Sequence, residues 1–149
     1  MSNQLEKLRM QATALVDALE AVVPEYRSLE LRTAFGRPLL ENIRPPELVA
    51  GMRQALDDLL TMVGHLSGGQ MRAIAADLRT RHGIELDSLQ QKRLRRIASI
   101  REQGRVASET QWYLIRSRID EIEGLEARAD ECHALQRLAD AYEFRPAKA

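Results

Sequence analysis

Apolar residues return at intervals of three and four along most of this chain, and no stretch alternates apolar with polar residues as a half-buried strand does. That spacing restricts the chain to helices, each of which needs a neighbour to cover one apolar face. The predicted fold class is all-α: a helical bundle of about six or seven amphipathic helices, with long helices in the N-terminal half and shorter ones in the C-terminal half. At 149 residues the chain is about one domain, and a domain of that size buries roughly 70% of its unfolded surface. The expectation is a single all-α domain over residues 1–143, with a weak subdomain seam near residue 67 and a disordered tail at 144–149.

The first helix is expected over residues 3–23. Leu5, Leu8, Ala12, Leu15, Leu19 and Val22 follow the heptad a/d spacing, and Val16 and Val23 widen the stripe. A two-stranded coiled coil keeps its flanking positions charged, so the broader stripe predicts a bundle member with more than one neighbour. Leu5, Leu8, Leu15, Leu19 and Val22 are the candidate self-association residues if that neighbour is another chain. Pro24 suits the first position of a following helix, on which Tyr26, Leu29 and Thr33 share a face. Gly36 and Pro38 stop it, and Leu39, Leu40 and Ile43 are expected to seat the irregular stretch 36–46 on the core. Another long helix is expected over 46–65, opened by Pro46 and Glu47, with Val49, Met52, Leu56, Leu59, Val63 and Leu66 at the same spacing. Gly51 inside it reads as the mark of a close helix crossing.

Three capping boxes follow. Ser67 with Gln70, Asp87 with Gln90, and Ser108 with Gln111 each place a capping side chain three residues before a glutamine able to reach back. They predict helix starts near 68, 88 and 109, with Gly83, Gly104 and Gly124 as the matching stops. The last helix is expected over 125–143, with Cys132, Leu135, Ala139 and Tyr142 on one face.

Formal net charge is zero, but residues 67–105 carry nine basic and four acidic side chains, between two acidic flanks. Lys92, Arg95 and Arg96 cluster on one helix face, and Arg105 follows; these four are the candidate contacts to a partner or to phosphate. Arg93 and Arg101 fall in the apolar arc of the same helix, where they must snorkel or meet carboxylates. The competing reading of the basic stretch is a solvated face paired with Asp120, Glu121, Glu123 and Glu126. Residues 88–123 also fit the loose outline of a helix-turn-helix. The second helix carries Glu109, Asp120, Glu121 and Glu123, which phosphates would repel, so a plain helical hairpin is expected. Arginine outnumbers lysine nineteen to three, which points to a GC-rich bacterial genome or a phage of such a host.

Leu66-Ser67-Gly68-Gly69-Gln70 matches the LSGGQ signature of ABC-type ATPases, and the following MRAIAADL resembles the helix after that signature. The resemblance implies a γ-phosphate site at a helix N-terminus, where free N–H groups and the helix dipole favour an anion. It covers about a dozen residues. The chain lacks the GxxxxGK[ST] loop and the β-sheet that such an ATPase needs. Ser67, Gly68, Gly69 and Gln70 are therefore kept only as a weak anion site, beside the reading in which Ser67 caps, Gln70 closes the box and the glycines turn.

Trp112, Ile115, Ile119 and Ile122 form a core stripe, leaving Tyr113 and Tyr26 as the better exposed contacts. His65, His82 and His133 show no metal-ligand spacing with one another, with Cys132 or with a carboxylate. His82 precedes Gly83 and is expected to favour a helix C-terminus. One cysteine allows no intrachain disulfide, and MSNQLEKLRM has no apolar signal core, so a cytoplasmic location without membrane contact is expected. No catalytic residue, metal or cofactor is assigned, and the chain is read as not an enzyme. The functional expectation is a non-catalytic helical interaction, adaptor or small regulatory protein that binds a protein partner or itself as a homo-oligomer. The alternative is a nucleic-acid-binding protein using the basic face over 92–105.

Overall fold

The structure is a computed structural model that describes residues 2–31 and 45–146. Among these the chain is all-α, with six α-helices and no strand. They are α1 (Ser2–Val22), α2 (Pro45–Gly64), α3 (Gly68–Asp77), α4 (Leu86–Gln103), α5 (Glu109–Ile122) and α6 (Ala129–Glu143). A 3-10 turn at Pro24–Leu29 follows α1, a π turn at Leu78–His82 extends α3, and a 3-10 turn at Glu126–Arg128 leads into α6. No described helix is long and apolar enough to cross a membrane. The expectations for Thr33, Gly36, Pro38, Leu39, Leu40 and Ile43 lie outside the described residues.

The chain divides into two compact units at Gln90/Gln91, within α4, so residue 67 lies inside the first unit. In the first unit the broad α1 stripe does what its width requires and packs on both α2 and α3. Ala12, Leu15, Val16 and Leu19 of α1 are fully buried with Leu60 and Val63 of α2 and with Ile74 and Leu78 beyond them. In the second unit Ile97 and Ile100 of α4, Leu114, Ile115, Ile119 and Ile122 of α5, and Leu135 and Ala139 of α6 form a separate cluster. Trp112 packs against that cluster, as its place in the stripe predicts.

Local signals fix most helix ends. Ser67 Oγ accepts from the Gln70 N–H at 3.1 Å and Gln70 Oε1 accepts from the Ser67 N–H at 3.2 Å, a complete capping box. Ser108 Oγ accepts from the Gln111 N–H at 3.2 Å, but Gln111 Oε1 reaches one residue further back, to the Ala107 N–H at 2.7 Å. Gly83, Gly104 and Gly124 all adopt positive φ. At Gly83 this turns the chain so that its N–H meets the Arg79 carbonyl and the Ile84 N–H meets that of Leu78.

Two expectations fail here. Asp87 is not an N-cap: α4 starts at Leu86, and the Glu85 carbonyl takes the first bond, from the Leu89 N–H. The earlier start puts Leu86 and Leu89 into the core, and burial of two leucines outweighs a cap of about 1 kcal/mol. Asp87 still lies in the first turn, favourable to the dipole, while Gln90 Nε2 donates to the Leu60 carbonyl at 3.4 Å. Gly51 marks no helix crossing. It is exposed, and a Cβ there would meet nothing within 4 Å among the described residues.

Candidate partner-binding surface

The second unit begins from an awkward arrangement in sequence: arginines at core positions of two helices. Arg93 lies on the apolar arc of α4 with Ile97 and Ile100 and is 0% exposed. Arg118 lies between Ile115, Ile119 and Ile122 on α5 and is 9% exposed. A buried guanidinium is tolerated only if it is paired and hydrogen-bonded. Arg93 donates to Glu121 Oε2 and to Ser117 Oγ, each at 3.1 Å. Arg118 pairs with the other Glu121 oxygen and donates to Glu131 Oε2 at 2.9 Å. Arg128 adds a more exposed contact to Glu131 at 3.4 Å. Two glutamates thus hold three arginines in one chain of charge across α4, α5 and α6. Burial alone would raise the Glu131 carboxyl, but the Arg118 hydrogen bond and the charges of Arg118, Arg128 and Arg101 outweigh it and hold it below its usual range. For Arg118 burial works against the charged form, and the bonds to Glu131 and Glu121 more than offset it.

This network decides what the outer face of α4 can be. Lys92 and Arg95 are exposed, Arg96 is half-buried, and Arg105 is exposed just past the helix end. Two of the four carboxylates expected as their partners are committed elsewhere, and exposed Glu123 and Glu126 form no ion pair with Lys92, Arg95 or Arg105 among the described residues. Glu121 serves the buried arginines, and Asp120 pairs with Arg116 at 3.6 Å on its own helix. Among the described residues, no acidic side chain forms an ion pair with Lys92, Arg95 or Arg105. With Ser88 and Ser99 on the same side of the helix, the face offers several N–H and O–H donors, and Glu102 at its C-terminal end is exposed without an ion pair to them among the described residues. Chemically it can hold carboxylates or phosphates.

The other candidates fall elsewhere. Leu8, Leu15 and Leu19 lie inside the first unit's own core, and Leu5 and Val22 pack at its edge. The stripe on α1 is therefore largely internal, which corrects its reading as a self-association seam: a second chain cannot reach Leu8, Leu15 or Leu19 while the core is intact. At Ser67–Gln70 the capping box occupies the Ser67 and Gln70 N–H groups that an anion would need, and the Arg72 side chain lies beside Gly68 and Gly69. Tyr113 is exposed and meets Trp112 edge-on, with centroids 4.9 Å apart. Tyr26, expected to be exposed, packs half-buried on the first core because the 3-10 turn folds it back. His82 closes the π turn with Nε2 3.9 Å from Asp17 Oδ2 of α1. Cys132 packs against the second core, and His133 is exposed. Among the described residues no group of three or more His, Cys, Asp or Glu side chains is placed to hold a metal ion.

Sequence reasoning identified Arg93 as needing an acidic partner but missed Arg118 and Glu131. The same signal was present for Arg118, an arginine three and four residues from buried isoleucines. Compared with protein-family models, curated proteins and solved structures, the chain matches none.

Proposed function

We propose that this chain is a non-catalytic helical interaction protein that docks an acidic surface of a protein partner onto the outer face of α4. The observation that supports this reading is the set of cations at Lys92, Arg95 and Arg105, with which no acidic side chain among the described residues forms an ion pair, while Glu121 and Glu131 are bound to buried arginines. Uncompensated rim charge steers association and selects partners by complementarity more than it adds affinity. A protein surface fits better than a nucleic-acid backbone. Exposed Glu102 and Glu109 flank the cations, and a polyanion would meet repulsion there that a mixed-charge protein surface avoids.

A photo-crosslinking residue at Ser99, in the centre of the face, tests the proposal in the native host, with Thr80 as the exposed control site. The expected result is an adduct with one defined protein from Ser99, absent from Thr80 and lost on Arg95→Glu. Adducts with nucleic acid alone would move the reading to a nucleic-acid binder, and equal labelling from both sites would overturn docking on α4.

A further inference from the structure

A second surface of the 91–149 unit lies outside the α4 face and shares none of its residues. Between the end of α5 and the start of α6 runs an open groove of about 410 Å³, with Ile122, Leu125, Ala129, Cys132 and the carboxylates Glu123 and Glu126 among its lining residues. That volume lies within the range of small binding pockets, about 300–1,000 Å³, and accommodates an aromatic ring. Leu125 is 54% exposed. Among the described residues, the largest exposure of any large hydrophobic side chain is just past the other end of α6, where Phe144 is 82% exposed. Arg145 is next to it, with its guanidinium stacked 3.9 Å over the Tyr142 ring.

We infer that Phe144 of one copy of this chain inserts into the α5–α6 groove of a second copy, with Arg145 meeting Glu123 and Glu126. Two observations select that occupant. The groove's exposed lining is mostly apolar and includes Glu123 and Glu126, and the chain itself displays an aromatic side chain followed by a cation, the residue types that anchor interfaces. Phe144 also cannot fill its own groove. It stands just past the end of α6, eight residues beyond Gln136, the lining residue nearest to it in sequence, which is about 12 Å along the helix at 1.5 Å per residue. The contact is heterologous: it closes into a pair if two copies exchange both ends, and extends into a chain if they do not.

The test is the molar mass of the full chain by light scattering over a wide concentration range, with Phe144→Ala and Leu125→Arg as variants. Both positions are exposed, so their melting curves should match that of the wild type. The wild-type mass should rise with concentration, and each variant should weaken association by about tenfold or more. Mixing the two variants should restore a one-to-one pair, since one keeps the groove and the other keeps Phe144. A wild type that stays monomeric, variants that associate as well as the wild type, or a mixture that gains no mass would each overturn the inference. None of these outcomes touches the α4 reading.

Discussion

At the scale of single residues, the second unit depends on arginines whose burial is acceptable only because two glutamates face them. Glu121 accepts from both Arg93 and Arg118, so Glu121→Ala takes one carboxylate from two buried guanidinium groups, leaving Arg118 with Glu131 and Arg93 with Ser117. The expected cost is about 3–5 kcal/mol, the range for breaking a buried pair from one side, measured by urea unfolding of the full chain. Replacing the Arg93–Glu121 pair by Met and Leu should cost less than the single change, because it also removes the Arg93 guanidinium that would otherwise stay buried without its carboxylate. Glu131 ties the network to pH. Its carboxyl is held below the usual value of 4.5 because Arg118 and its neighbours outweigh burial. A carboxyl depressed in the folded state contributes stability that is fully present above its unfolded value and is lost as pH falls through the folded one. Melting temperature should therefore fall as pH drops below about 4.5, and part of that fall should vanish in Glu131→Gln. An unchanged slope in that variant would show that Glu131 contributes nothing to acid sensitivity.

At the scale of elements, helix starts are set by a contest between local capping and tertiary burial. α3 and α5 obey their caps, since Ser67 and Ser108 each bond the third amide of their helix. Ser67→Ala and Ser108→Ala should each lower stability by about 1 kcal/mol. Asp87→Ala should cost less than either, because Asp87 caps nothing and keeps only its favourable place in the first turn of α4. Thermal melts of the three variants give the order directly, and a larger loss at Asp87 than at Ser67 would contradict the assignment of the α4 start. The π turn at Leu78–His82 ends at left-handed Gly83, so α3 terminates where the sequence stop predicts, though through a wider final turn.

At the scale of the molecule, each unit has its own hydrophobic cluster. Leu15→Ala should remove about 2–5 kcal/mol from the first and speed amide exchange in α1, α2 and α3, while Glu121→Ala should do so in α5 and α6. Equal acceleration in both sets from either change would mean that the two clusters unfold as one. Much of this architecture was legible in the sequence. Spacings of three and four marked α1, α2 and the Trp112–Ile122 stripe, because a helix brings such residues onto one side whatever lies opposite. Ser67, Ser108 and the three stop glycines marked boundaries, because capping and positive φ are local chemistry. Other features depended on what each helix meets. Whether the α1 stripe served this chain or another was decided by α2 and α3 closing over Leu15 and Leu19. Whether Glu121 was open to the exposed α4 cations Lys92 and Arg95 was decided by Arg93 and by Arg118, which lies 23 residues beyond Arg95 in sequence. Periodicity and caps act through the backbone within a few residues and can be read in order along the chain. Ion pairing and burial act through space, and only the packing of α4, α5 and α6 determines which charges are left to face a partner.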